Sequence, residues 1–404
     1  MKKTRVTRVM AATLLALLLV LPLAGACARP APAPAPAPKP TPTAAPAPAP
    51  KPAPAPAPKP TPAPAPAPKA NSLDEVIAGA KREGEVSVSL ASDHAKPASV
   101  AQMRKEIKEM YGVDLKITAM YSASQGAVLA EATMQHKTGA VPTFDLMTLS
   151  PNYIPEALKA GAVAPVDWRP LVSAGTNPAV IPQHPALRGA ISYYSMLYGV
   201  MYNPNKVSAA ELPKKFSDLA DPKWKGRLGL FNYPIYWIPW AFVLGKDNFD
   251  STLRSIIKNN KPVLGIYADV NNRYLLEEID LGMMTPSYLI ANREKGIPSE
   301  FVNLDFVNTG EVTLAVHSDA AHPNAARLVA IYLTSPAGVK FGTKYGMRDS
   351  AHYPGNYLSD IKQQGIKDGK KVVGFETTKE LLDFFLTPEL GKWLDSINLI
   401  LKGG

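Results

Sequence analysis

The chain has 404 residues, 46% of them hydrophobic, with 44 Lys+Arg against 34 Asp+Glu and a single cysteine, Cys27. The formal charge of +10 suggests a nucleic-acid surface, but nine of the basic residues and no acidic one fall in residues 1–70. The remaining 334 residues stand near +1, which implies no nucleic-acid partner, and contain no cysteine, which excludes disulfides and thiolate metal sites there.

The first segment orders its chemistry as a secretory signal does. Lys2, Lys3, Arg5 and Arg8 are followed by an apolar run from Met10 to Leu23, then by Ala24-Gly25-Ala26-Cys27. That run is short of the roughly 20 residues a bilayer span needs. The small residues ending in Cys27 resemble the lipobox of bacterial lipoproteins. The resemblance implies cleavage after residue 26, lipidation of Cys27 and a place outside the cytoplasm on the cell membrane, at the surface or in the periplasm. Residues 28–70 carry nineteen prolines among 43 residues, with Lys39, Lys51, Lys59 and Lys69 spaced along them. Proline removes the N–H donor and fixes φ. The segment is expected as a stiff tether of about 3.1 Å per residue, roughly 130 Å at full reach.

The folded part, 71–404, exceeds one ordinary core and suits two domains. Ser72 and Glu75 form a capping box for a helix running to Gly84. Val86, Val88 and Leu90 alternate as a strand, ending in Ser92-Asp93. A helix over 97–110 and a strand over 113–119 follow, then the loop Tyr121-Ser122-Ala123-Ser124 and a helix over 124–138. Phe144–Met147 reads as a buried strand ending at Thr148-Leu149-Ser150, before a helix to Gly161. This order predicts an α/β fold with a mainly parallel sheet flanked by helices. Ligands of such sheets lie beyond the carboxyl ends of the strands, where Ser92, Asp93, Tyr121, Ser122, Ser124, Thr148 and Ser150 fall.

After Tyr202 the pattern repeats. A strand at 228–230 leads into Asn232, Tyr233, Tyr236 and Trp237, and helices follow over 238–246 and 249–260. The strand 263–266 precedes Asp269, and the strand 281–284 precedes Thr285, Ser287 and Tyr288. Residues 300–317 have strand character and return the chain to the first domain, where Pro323 opens a helix. The apolar pairs of the tail, Leu381-Leu382, Phe384-Phe385 and Trp393-Leu394, suggest amphipathic helices packed on a lobe.

Three stretches resemble the extracellular solute-binding proteins of bacterial ABC importers, in the branch of ferric-ion, thiamine, polyamine and phosphonate binders. They are Tyr198–Asn203, Leu212–Leu219 and Asp221–Leu228, the last containing Asp-Pro-Lys-Trp-Lys-Gly. The opening Ile77–Gly84, Phe144-Asp145-Leu146 and His322–Arg327 agree with them. The resemblance implies a two-lobe periplasmic-binding-protein-like fold of type II, with crossings near 197–203 and 301–317. Lobe 1 would comprise 71–200 and 310–404, and lobe 2 residues 201–309. It also implies capture of a small solute, delivery to an ABC permease and ATPase, and a monomer with no cofactor or resident metal. The Asp-Pro-Lys-Trp-Lys-Gly run reads as architecture: Pro222 fixes a turn, Trp224 packs and Gly226 permits close approach.

A ferric-ion binder is the first alternative, but Ser287-Tyr288 stands where ferric members of that branch carry two adjacent tyrosines. Tyr193-Tyr194 lies before the crossing and reads as core or hinge packing. The aromatics with Asp269 suit an organic cation, while the hydroxyls suit an oxyanion, and the sequence leaves both open. A secreted enzyme is the rival class, although nucleophile-elbow, zincin, phosphate-loop and dinucleotide motifs are absent from the sequence. A surface adhesin on a stalk is the third.

Overall fold

In the computed structural model, which describes residues 70–122, 124–346 and 348–403, the first helix begins as its cap dictates. Ser72 accepts from the Glu75 N–H at 3.3 Å, while Glu75 reaches back past the cap to the Asn71 N–H at 2.6 Å. Signal segment, Cys27 and nearly all of the tether lie outside the described residues. The described residues form one compact unit.

The first half alternates α1 (Leu73–Glu83), β1 (Glu85–Ser89), α2 (Pro97–Tyr111), β2 (Lys116–Met120), α3 (Gln125–Thr138), β3 (Leu146–Leu149) and α4 (Ile154–Lys159). A long strand, β4 (Ala190–Tyr202), leaves it. The second half runs β5 (Leu228–Phe231), α5 (Ile238–Leu244), α6 (Lys246–Asn260), β6 (Val263–Gly265), α7 (Tyr267–Leu275), β7 (Leu281–Met284), α8 (Ser287–Glu294) and β8 (Glu300–Val302). Then β9 (Val307–Val316) returns, followed by α9 (Pro323–Thr334), α10 (Pro336–Gly346), α11 (Tyr357–Lys367), β10 (Val372–Val373), α12 (Lys379–Phe385) and α13 (Leu390–Leu401).

Among the described residues the strands join in the order β2-β1-β3-β9-β4-β7-β5-β6, with β10 on β9 and β8 on β4. Each half has three parallel strands, β2-β1-β3 and β6-β5-β7. Against each set a crossing strand packs antiparallel, β9 beside β3 and β4 beside β7. β4 and β9 pair antiparallel from Ala190↔Ala315 to Tyr198↔Asn308. The strand ends of the two halves therefore converge on these shared strands.

Two large hydrophobic cores lie on either side. One gathers Val76, Val88, Ile107, Leu314 and Tyr332; the other gathers Phe216, Trp224, Trp237, Trp240 and Phe249. Asp-Pro-Lys-Trp-Lys-Gly serves the second core. Trp224 is fully buried, its Nε1 donates to the Asp218 carbonyl at 3.1 Å, and Asp221 Oδ1 accepts from the Lys223 N–H at 3.0 Å. Gly226 differs from expectation: a Cβ there would meet nothing within 4 Å, so glycine supplies the φ of +72° rather than a close approach.

Four boundaries move. The strand expected from 113 begins at Lys116, because Val113 and Leu115 are buried in the loop ahead of it. The strand expected at Phe144 begins at Leu146. The first crossing strand begins at Ala190, seven residues before Leu197. The tail expected on lobe 1 packs chiefly on the second core, through Val373, Leu381, Trp393, Ile397 and Ile400. Leu382, fully buried beside Leu381, instead joins a smaller cluster with Leu149 and Ile154 of the first half. No helix among the described residues is long and apolar enough to cross a membrane.

Candidate functional site

The strand ends bring groups from both halves to the crossing strands. Tyr194 and Tyr198 project from β4. Tyr194 lines a pocket with Thr285 and Ser287 after β7, with Arg348 after α10, and with Tyr357 of α11. The Arg348 guanidinium carbon stands 5.1 Å from the centre of the Tyr194 ring. Its Nη2 is 3.8 Å from Asp93 Oδ2, at the end of β1. Asp93 also holds Lys96 at 2.8 Å.

Phenols crowd the same region. Tyr236 lies between Tyr198 at 5.3 Å, Tyr233 at 5.7 Å and Tyr267 at 5.5 Å between ring centres. Burial pushes the Tyr236 phenol up to about 12, and Tyr194, Tyr233 and Tyr153 add to the shift, so both halves contribute to its surroundings. Burial likewise raises Tyr194, with Arg348 opposing and Tyr121 assisting. Tyr288 is raised by burial, lowered by Arg348 and raised by Asp269. These phenols stay neutral at physiological pH, as hydrogen-bonding and stacking groups rather than phenolates.

Of the residues singled out from sequence, Thr285 and Ser287 line the pocket with Tyr194 and Arg348, Asp93 faces Arg348, Tyr121 and Tyr236 lie within electrostatic reach of Tyr194 and Tyr288 within that of Arg348, while Tyr233 packs on Tyr236 and Asp269 acts on Tyr288. Others are committed elsewhere. Thr148 is buried and donates to the Ser89 carbonyl at 2.6 Å, tying β3 to β1. Trp237 is fully buried, stacked on Phe231 with ring centres 4.1 Å apart, and belongs to the core. Both are corrections: an apolar or hydrogen-bonded interior has claimed the side chain. Ser124 accepts from the Ala127 N–H at 3.1 Å and caps α3, while Ser122 donates to the Ser124 carbonyl. Ser150 receives Gln125 Oε1 on its N–H at 2.6 Å, Asn232 is exposed, and Ser92 is half-buried at the end of β1. Asp269 accepts from the Ile266 N–H at 3.3 Å at the start of α7.

Sequence reasoning missed Arg348 altogether. It follows a helix, not a strand, and reaches the site only because the chain after α10 folds back over β4. Tyr194 was assigned to packing. Like Tyr193, whose hydroxyl meets His94 Nδ1, it does pack in the first core, and it also lines the pocket.

Known proteins agree with this architecture. Iron-bound HitA from Pseudomonas aeruginosa superposes with a TM-score of 0.54 at 16% identity, covering 69% of this chain and 92% of its own. A periplasmic thiamin-binding protein gives 0.57 at 16%, covering 78% and 96%. The spermidine/putrescine substrate-binding protein PotD from Streptococcus pneumoniae gives 0.57 at 12%, covering 78% and 99%. At such identities the likeness shows the fold alone, the two-lobe periplasmic-binding-protein fold of type II. No curated protein matches at the sequence level. The family model of the bacterial extracellular solute-binding proteins matches residues 102–344. That match spans more than half of the chain and both halves of the crossed sheet, and the chain therefore belongs to the bacterial extracellular solute-binding proteins.

Proposed function

We propose that the protein is a lipid-anchored receptor that closes its two lobes around a small solute and delivers it to an ABC permease and ATPase, without chemical turnover. In this reading Cys27 carries the anchor, 28–70 is the tether, lobe 1 is 71–200 with the chain from 310 to α11, and lobe 2 is 201–309 with the C-terminal helices. The observation that supports it best is the meeting of Asp93, Tyr121 and Tyr194 from one half with Tyr236, Thr285 and Tyr288 from the other, across strands shared by both. A hinge on β4 and β9 can exchange an open for a closed arrangement, and solute shifts the balance by its preference for the closed one.

The test is a melting screen of the protein against carboxylates, phosphonates, polyamines, vitamins and metal ions, with small-angle scattering on each hit. One solute class is expected to raise the melting temperature and compact the protein, since a ligand at 100 times its Kd stabilises by about 2.7 kcal/mol. Consumption of the solute, or binding to macromolecules alone, would overturn the reading.

A further inference from the structure

Building on the cleft as solute site, we propose that Arg348 receives an oxyanion of the solute, a carboxylate or phosphonate, between Tyr194 and the hydroxyls of Thr285 and Ser287. An arginine placed for structure alone satisfies its five donors with fixed acceptors. Among the described residues, Arg348 Nε is buried and has no hydrogen-bond partner. Its nearest carboxylate, Asp93, is 3.8 Å away and already holds Lys96 at 2.8 Å. The fork is thus charged, three-quarters buried and short of acceptors.

Its position is nevertheless fixed. The Arg348 backbone N–H donates to the Gly342 carbonyl at 3.0 Å, and the guanidinium lies over the Tyr194 ring. Stacking on an aromatic face leaves the in-plane donors free for bidentate recognition of a planar or tetrahedral oxyanion. Thr285 Oγ1 and Ser287 Oγ are 2.9 Å apart on the facing lobe. One of those hydroxyls donates to the other, and the second has its proton left for an incoming oxygen. An organic cation fits this end of the cleft poorly, since Arg348 repels it and already occupies the face of Tyr194. Contacts from Arg348 on one lobe and Thr285 on the other would also make the oxyanion a bridge that favours closure.

The full chain, purified in detergent, is titrated calorimetrically with succinate, benzylphosphonate, inorganic phosphate and spermidine, beside Arg348→Gln and Arg348→Lys. At least one oxyanion should bind, Arg348→Gln should weaken it about 100-fold, and Arg348→Lys should weaken it less because charge remains. Melting of the unliganded variants checks that they fold; both should melt close to the parent. The carboxylate and phosphonate arms distinguish the two headgroups. Spermidine binding that Arg348→Gln leaves unchanged, or oxyanion binding indifferent to both variants, overturns this proposal while leaving the receptor reading intact. Failure of every probe here and in the wider solute screen overturns both.

Discussion

His322 is joined to Asp145 twice: its backbone N–H donates to Oδ1 at 3.0 Å, and its Nδ1 lies 3.1 Å from Oδ2. The same buried carboxylate accepts from the Ser87 N–H at 2.8 Å and the Ser87 hydroxyl at 3.0 Å. One side chain thereby ties β1, β3 and the entry to α9, at the end of the sheet away from the ligand loops. Removing an acceptor of this kind leaves several buried donors unpaired. Asp145→Ala is expected to cost about 3–5 kcal/mol in urea unfolding. Asp145→Asn, which keeps one acceptor oxygen, should cost less. Equal stability of Asp145→Ala and the parent would show that the tie carries no weight.

The proposed lipid anchor has its own test. Each buried methylene contributes about 0.8 kcal/mol, and one chain holds a protein marginally while two hold it firmly. Cys27→Ser removes the proposed attachment atom, the thiol sulfur. Fractionation of cells expressing it should find the protein released from the membrane. A variant that stays with the membrane would count against lipidation at this position.

Local signals in the sequence carried most of the element order, and tertiary contacts set what they missed. Ser72 with Glu75 announced α1, and the alternation of Val86, Val88 and Leu90 announced β1. β4 gave no such signal, since burial on both faces erases alternation along its whole length. Its register slips between Ser192 and Tyr194, so no period rule tells that Tyr194, packed in the first core beside Tyr193, also lines the pocket. Strand-end logic points to Asp93, Thr285 and Tyr288, which the fold brings near Arg348, because the edge at which the strands of an α/β sheet end is set by topology. It also collected Thr148 and Trp237, because position after a strand does not tell whether a side chain turns to solvent or to core. Arg348 lies 154 positions from Tyr194 in sequence, and only the folded chain joins them.

The C-terminal helix should prove integral to the second lobe. Trp393 is 5% exposed, its ring lies 6.0 Å from that of Phe249, and its Nε1 donates to Asp250 Oδ1 at 2.9 Å. Ile397, Ile400 and Leu401 continue the same face of α13 onto the core. Trp393→Ala is expected to cost about 3–5 kcal/mol through the cavity it leaves. Trp393→Phe should cost about 1–2 kcal/mol, from the lost hydrogen bond and some lost volume. Urea midpoints of the two variants decide the matter. A Trp393→Ala protein as stable as the parent would mean that α13 is a detachable tail.

A last prediction concerns acidity beside the crossing strands. Glu376 accepts from the Thr309 hydroxyl at 3.1 Å, and Glu311, two residues on in β9, accepts from the Ser195 hydroxyl at 2.7 Å. The Oε2 atoms of both glutamates are buried without partners among the described residues. Burial first, and then the nearby Glu311 charge, push Glu376 up to about 8, with His352 and Thr309 opposing. Burial alone would lower His352, but Glu311, 3.1 Å from its Nε2, outweighs that and holds it above its usual value. Both shifts act in one direction. The folded protein binds more protons than the unfolded chain, so this stability is fully present below about pH 4.5 and declines as pH rises to about 8. His352 loses its share above its usual range, near 6.5 and upward. Glu376→Gln cannot titrate and still offers an oxygen to Thr309. Between pH 6 and 8 the parent should lose about 2 kcal/mol more than this variant in urea unfolding, at 1.36 kcal/mol per unit of pKa difference. Because Tyr198, raised by burial and then by neighbours that include both glutamates, packs at a tilt against the cleft residue Tyr236, the same ionisation should weaken solute binding at alkaline pH in the parent and not in the variant. Parallel stability profiles for the two proteins would refute this assignment of the buried charge.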